Sequence, residues 1–302
     1  MAGRVGQLGA GRMGSPVLRR WLEAGHDVLV HDPDPARGAA ARDAGATTAD
    51  SPAAVAAAVD VLVTVLPGAA EVADVVPALV PVLRPGSVWL DLTSGDPRTT
   101  DRIATALSGR GVATVAAAAG GGPAAAAAGS LELFVGGSAQ DRVAPLLAEL
   151  TRNGGSLRNL GERAGAGQTA KLLANLLWFA ESVAVTEALL IGREAGLDVR
   201  ALRAALAGSA GDSVFLRRHA DALLAGDDLT DFSLPRVLEE LEVVDELAGG
   251  VPHPLHRRVL ELHREALAEF GPVDGELMAA RLLERRAGRP LTEPGVLDHR
   301  SA

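Results

Sequence analysis

The chain of 302 residues contains no cysteine and no tyrosine. Without cysteine there is no disulfide, no thiolate nucleophile and no Cys-ligated zinc. Without tyrosine the acid/base residue of short-chain dehydrogenases is unavailable. The net charge is −9 and no dense Lys/Arg block occurs. Nucleic acids and anionic membranes both require clustered positive charge, so neither is an expected partner. No histidine pair has zincin spacing, and no metal is expected. His253, His256 and His263 read as surface histidines in a Pro-flanked stretch and the helix after it. The N-terminus shows no basic segment followed by an apolar core and cleavage site, which predicts a cytoplasmic protein. The uncharged stretch Gly111–Leu131 is long enough to span a bilayer. It carries Gly120-Gly121-Gly122-Pro123 near its middle and is mostly alanine, so it is not read as a membrane helix.

What is present is a sizeable apolar fraction, 48%, with 22% charged residues, the balance of a globular protein with a large core. The first half alternates β-branched runs with helical patterns. Strands are expected at Val5–Leu8, Asp27–His31, Val59–Leu66, Ser87–Leu92 and Leu131–Val135. Helices are expected at Met13–Ala24, Ala36–Ala44 and Thr99–Arg110, and the alanine tracts at 53–58 and 124–128 fit helix propensity. This alternation predicts an α/β domain with a parallel sheet covered on both faces. Beyond about Gly165 strand signals stop. Helices are expected at Ala166–Ala195, Val199–Leu206, Val214–Leu224, Pro235–Leu247, Pro254–Phe270 and Gly275–Ala287. The reading is therefore a Rossmann domain over residues 1–163 and an all-α domain over 164–302, with a frayed tail from Gly288.

Gly9-Ala10-Gly11-Arg12-Met13-Gly14 is a GxGxxG between the first strand and the first helix. Its glycines allow a tight turn, close approach of backbone to a pyrophosphate, and close helix–strand packing. The helix N-terminus directs free N–H groups at the phosphates. The second strand ends at His31-Asp32, eighteen residues after Gly14, where an acid can accept from ribose hydroxyls. Asp32 predicts NAD as cofactor; Arg37, able to reach a 2′-phosphate, keeps NADP as the alternative. In the long apolar helix from Ala166, Lys171 and Asn175 lie on one face, and Trp178 and Ser182 continue that stripe. A lysine on a water-poor helix costs free energy unless it is used, or unless it snorkels to solvent.

These residues resemble the β-hydroxyacid dehydrogenases, the family of 3-hydroxyisobutyrate dehydrogenase, with 6-phosphogluconate dehydrogenase and the imine reductases as relatives. The likeness runs from Gly6 to about Leu283. Gly9 to Pro16 is similar to the family's dinucleotide loop, and Leu66-Pro67 and Asp91-Leu92-Thr93-Ser94 to its nicotinamide-side segments. Gly165-Ala166-Gly167-Gln168-Thr169-Ala170-Lys171-Leu172-Leu173-Ala174-Asn175 is similar to its catalytic signature. The resemblance implies hydride transfer between a nicotinamide and an alcohol or carbonyl, with Lys171 as general acid/base and Asn175 holding a small-molecule substrate. Burial and a nearby cationic nicotinamide would push such a lysine towards neutrality, where it works in both directions.

Three departures bear on the substrate. The family's Asp-Ala-Pro-Val-Ser-Gly-Gly segment is here Ala116-Ala117-Ala118-Ala119-Gly120-Gly121-Gly122, so the carboxylate-binding serine is Gly120. Backbone N–H groups of Gly121 and Gly122 remain to bind an anion. The first asparagine of the usual pair is Ala174, and the later Lys-Asp is Glu239-Glu240. The substrate site is thus expected from Gly120, Gly121, Gly122, Asn175, Trp178 and Glu239, with small β-hydroxyacids as poor substrates. An imine reductase-like activity is the alternative, favoured by Glu239 and disfavoured by Lys171; a non-catalytic NAD-binding protein is a further one. The apolar surface of the long helix exceeds what one small domain covers, which predicts a homodimer.

Overall fold

The computed structural model describes residues 3–292. The chain divides into two compact units, one through Lys171 and one from Leu172.

The first unit is built on eight strands: β1 (Val5–Leu8), β2 (Val28–His31), β3 (Thr47–Thr48), β4 (Val61–Thr64), β5 (Val88–Asp91), β6 (Ala113–Gly120), β7 (Glu132–Gly137) and β8 (Ser156–Asn159). They form one sheet in the order β3-β2-β1-β4-β5-β6-β7-β8. Every pairing is parallel except β6 with β7. Its helices are α1 (Gly14–Glu23), α2 (Pro35–Asp43), α3 (Pro52–Ala58), α4 (Ala69–Leu79), α5 (Pro97–Ser108), α6 (Gly122–Ala128) and α7 (Gln140–Thr151). Strands β1, β4 and β5 are buried at every position, as parallel strands with both faces covered must be. Two apolar cores result, one containing Trp21 and Leu146, the other Trp89 and Leu107. Three helices start on a side-chain cap followed by proline. Asp34 accepts from Ala36, Ser51 from Ala54 and Asp96 from Arg98, satisfying N–H groups that the helix leaves open.

The second unit is helical. It contains most of α8 (Ala166–Glu194), then α9 (Val199–Leu206), α10 (Val214–Arg218), α11 (Ala220–Ala225), α12 (Leu234–Ala248), α13 (Pro254–Phe270) and α14 (Met278–Ala287). Buried Phe179, Val185 and Leu189 of α8 join separate apolar clusters with α12–α13 and with α10–α11.

The fold class is that expected from the sequence. Two details differ, the helix at 214–224 and the burial of two histidines, and two more are added. The alanine run Val115–Ala118, for which the sequence predicts no element, is the fully buried interior of β6. Pairing with β7 throughout, and with β5 as far as Ala116, overrides alanine's helix propensity there, and a Cβ on the facing Gly137 would come within 2.3 Å of Thr114 O. The expected helix Val214–Leu224 is two short helices that break at His219. The compact units part at 171/172, and the first turn of α8 packs within the sheet unit: a Cβ at Gly167 would meet Phe134 O at 2.2 Å. Finally, His256 and His263 are core histidines rather than surface ones. The tail beyond Thr292, read as frayed, lies outside the described residues.

Candidate active site

The sheet order places β1 between β2 and β4, so connections leave to opposite sides there and open a crevice at the strand C-termini, where doubly wound folds bind dinucleotides. The glycine loop lies at that point. Gly9 is left-handed at φ +93, and a Cβ on it would fall 2.3 Å from Val65 O; one on Gly14 would fall 2.1 Å from Gly9 O. Around Gly11 a Cβ would meet only the Arg37 guanidinium, at 3.4 Å. The loop is therefore closed beneath and open above, as a pyrophosphate cradle must be. Ala10 is buried within the loop, while Arg12 is exposed and Met13 packs on the first core. Gln7 braces the loop: its Nε2 donates to both Gly9 O and Gly14 O at 2.8 Å.

Asp32 has only 2% of its side chain exposed. Its carboxylate accepts from Ala10 N at 2.7 Å and Asp34 N at 2.9 Å, tying the end of β2 to the glycine loop. Arg37 approaches it at 3.9 Å and Asp34 at 3.4 Å. His31 is held by Nδ1 against Ala49 O at 3.0 Å. These residues fit an adenosine ribose beside the phosphate loop.

The opposite wall carries the segments around Leu66-Pro67 and Ser94. Leu66 N donates to Thr93 Oγ1 at 3.1 Å, joining the two loops; Pro67 is exposed and Ser94 half-buried. Beneath them Asp91 is buried at the end of β5. Burial raises its pKa to about 6 against hydrogen bonds from Thr64, Thr93 and Gln168 that lower it.

Lys171 lies in the second turn of α8. A Cβ built on Gly120 would stand 3.8 Å from its Cε and 3.7 Å from Cβ of Glu132. Gly120 and Glu132 are opposite partners of the β6–β7 ladder, and opposite residues project to one face. The space left by the missing side chain at 120 is thus walled by Lys171 and Glu132. Gly121 and Gly122 follow in left-handed conformations, φ +107 and +67, at the start of α6.

In the second unit Asn175 Nδ2 donates to Glu240 at 2.5 Å, and Trp178 Nε1 to Glu276 at 2.9 Å. The Trp178 ring meets His219 edge-on at 4.6 Å. Glu239 is not brought to Asn175. It is exposed and paired with Arg236 one turn earlier on α12, and Glu240 stands by Asn175 instead. Adjacent residues on a helix point about 100° apart, so only one of the pair could face α8. Gln7, Glu132 and Glu276 carry no motif of their own in the sequence, and Glu240 is legible there only as the second residue of the Glu239-Glu240 pair. A simpler signal does mark Lys171: of 29 Lys and Arg residues, 28 are arginine, and Lys171 is the one lysine. An amine, unlike a guanidinium, can lose its proton at ordinary pH.

A family model described as the NAD binding domain of 6-phosphogluconate dehydrogenase matches residues 4–158. A second, described as NAD-binding of NADP-dependent 3-hydroxyisobutyrate dehydrogenase, matches residues 165–283. The 3-hydroxyisobutyrate dehydrogenase of Pseudomonas aeruginosa is 31% identical over 209 residues, 68% of this chain and 69% of that one. The fold is that of Mycobacterium tuberculosis 3-hydroxyisobutyrate dehydrogenase solved with L-serine (TM-score 0.85, 24% identity, 93% and 99% of the two chains). It is also shared with an imine reductase from Pseudomonas sp. (TM-score 0.60, 24% identity, 96% and 100%). The chain belongs to the β-hydroxyacid dehydrogenase family and is an NAD(P)-dependent oxidoreductase acting on CH–OH groups.

Proposed function

We propose that this enzyme interconverts an alcohol and a carbonyl compound through Lys171, and that its substrate is less anionic or bulkier than the small β-hydroxyacids of its relatives. The observation that carries the reading is the Gly120 gap: it has no hydroxyl, and its walls are the Lys171 side chain and Glu132. A bound nicotinamide supplies or accepts the hydride. The protein's own part is to give the developing alkoxide a proton, or to take one from the alcohol, and the Lys171 amine is the group for it. Asn175, one turn further along α8, holds the substrate, with Trp178 beyond it. Glu132 adds negative charge beside the gap, disfavouring a carboxylate, while Gly121 and Gly122 still offer backbone N–H groups. Assays of carbonyls of graded charge and size with NADH test this. Preference for neutral or cationic substrates over 3-hydroxyisobutyrate-like acids supports it, and the reverse order refutes it.

Asp32, buried beside the glycine loop, supports NAD over NADP as the preferred cofactor. The sheet unit serves as the cofactor domain and the helical unit as the substrate and dimerisation domain. Helix α8 is long and apolar enough to cross a membrane by length and composition, and only 28% of its most apolar window is buried. Exposed Leu173, Leu177 and Ile191 lie along it. We assign this surface to a second copy of the chain in a cytoplasmic homodimer. The support that the imine reductase-like reading draws from Glu239 passes to Glu240, which stands beside Asn175, while Glu239 is exposed and paired with Arg236.

A further inference from the structure

Asp91 is 1% exposed, yet its three protein partners are all neutral donors. Its Oδ1 accepts from Thr64 Oγ1 at 2.8 Å and Thr93 N at 3.0 Å, and its Oδ2 from Gln168 Nε2 at 3.0 Å. The Thr64 hydroxyl itself accepts from Trp89 Nε1 at 3.0 Å, so its own hydrogen is committed to Asp91. Gln168 Nε2 also donates to Thr93 O at 3.3 Å. Thr93 in turn receives Leu66 N through its hydroxyl. One carboxylate thus holds the end of β4, the turn after β5 and the first turn of α8. Burying an anion among neutral donors is an expensive way to join three segments. An apolar cluster would hold them at lower cost but without fixing rotation of the helix about its axis.

Rotation matters here because Gln168 is one turn before Lys171, on the same side of α8. The helix start has no bulk with which to set its own orientation. Gly165 and Gly167 lie against backbone, where a Cβ would stand 2.6 Å from Pro97 O and 2.2 Å from Phe134 O. On the outside, Asp101 accepts from Gly165 N at 2.8 Å and from Arg163. These contacts fix the height of the helix end, and the Gln168 amide is the side-chain tie that fixes its angle.

We infer that Asp91 and Gln168 are positioning residues that hold the Lys171 turn in register with the Leu66 and Thr93 loops on the nicotinamide side of the fold. The inference rests on the reading of Lys171 as the proton-transfer group, but its test does not depend on turnover. Because the chain has one lysine, full-length protein labelled with [6-13C]lysine gives one lysine side-chain resonance, that of Lys171. In Gln168→Met, of similar volume but without the amide, that resonance should shift and broaden and its titration midpoint should move. Thermal melting reports whether the variant folds. Asp91→Asn, which keeps an acceptor for Thr64 and Thr93, gives an independent second measurement. The double variant Asp91→Asn, Gln168→Glu restores one donor and one carboxylate across the contact and should return the resonance towards its original position. On any carbonyl that the native enzyme reduces with NADH, kcat should fall on the order of a hundred-fold in the single variants, with KM for NADH little changed. A folded Gln168→Met or Asp91→Asn protein whose lysine resonance and kcat match the native enzyme would overturn the assignment. If the resonance moves while Lys171→Ala keeps full activity, the positioning stands and the role of Lys171 fails.

Discussion

Gly120 and Lys171 face one another across a gap one side chain wide: a Cβ on the glycine would lie 3.8 Å from the lysine Cε. Gly120 is not in the left-handed region, unlike Gly121 and Gly122, so an L side chain is conformationally acceptable there. All its prospective contacts are at ordinary van der Waals distance. Gly120→Ser should therefore fold normally and regain a hydroxyl in the substrate gap. A hydrogen bond to a charged group contributes about 1.5–3 kcal/mol, so kcat/KM for 3-hydroxyisobutyrate should rise by roughly ten- to a hundred-fold. Steady-state kinetics of the variant beside the native enzyme check this; an unchanged ratio would mean that Gly121 and Gly122 N–H groups already suffice.

The adenosine end offers a second test. Asp32 should accept from the ribose hydroxyls and repel a 2′-phosphate, making NADH the tighter ligand. Arg37, already 3.9 Å from Asp32, has its guanidinium beside Gly11. Arg37→Ala should lower NADPH affinity by about tenfold, the loss of one exposed ionic contact to phosphate, and leave NADH nearly unaffected. Fluorescence titration of both cofactors decides it, and equal affinities in the native protein would show that Arg37 outweighs Asp32.

His263 predicts an acid limit to stability. It is fully buried on α13, with Nδ1 at 2.8 Å from Val259 O, and burial lowers its pKa from 6.5 to about 4. The unfolded chain therefore binds a proton between about pH 6.5 and 4 that the folded chain does not. Stability is complete above pH 6.5 and falls as pH drops through that window, by about 3 kcal/mol in total from this residue. Asp91 acts in the opposite sense: its pKa is raised to about 6, so the folded chain takes up its proton first and gains stability between pH 6 and 3.8. Urea melts from pH 7 to 4 should show a shallower loss in His263→Leu than in the native protein. Parallel curves would contradict the assignment to His263.

Leu177 and Ile191 on α8 are 60% and 69% exposed in the single chain. If a second copy covers this face, Leu177→Glu with Ile191→Glu places four charges in the dimer interface, each strongly disfavoured when unpaired. Sedimentation velocity at micromolar concentration should give a dimer for the native chain and a monomer for the double variant. A native monomer would refute the proposed interface.

Much of this was legible from local patterns. Val5–Leu8, the GxGxxG and Asp32 are close in sequence and read as one unit, since strand, turn and helix are set by neighbours along the chain. Lys171 and Asn175 share a helix face by spacing alone. The rest depends on pairings between distant residues. Ala116–Ala118 form strand only because β7 pairs with all three and β5 with Ala116, and Glu132 faces the gap only through its register with Gly120. The choice between Glu239 and Glu240 turns on a 100° step of α12 relative to α8, which no motif encodes. Asp91 and Gln168 are 77 residues apart, and their contact exists only once the sheet has formed.

The central claim is that Lys171 moves the proton. Lys171→Arg keeps the charge and most of the length but removes the capacity to deprotonate, and Lys171→Ala removes both. Both variants should bind NADH as the native enzyme does, and both should lose on the order of a hundred- to ten-thousand-fold in kcat on any carbonyl the native enzyme reduces. Single-turnover oxidation of bound NADH, followed by its absorbance, measures this directly. Near-native rates in Lys171→Arg or Lys171→Ala would contradict the account.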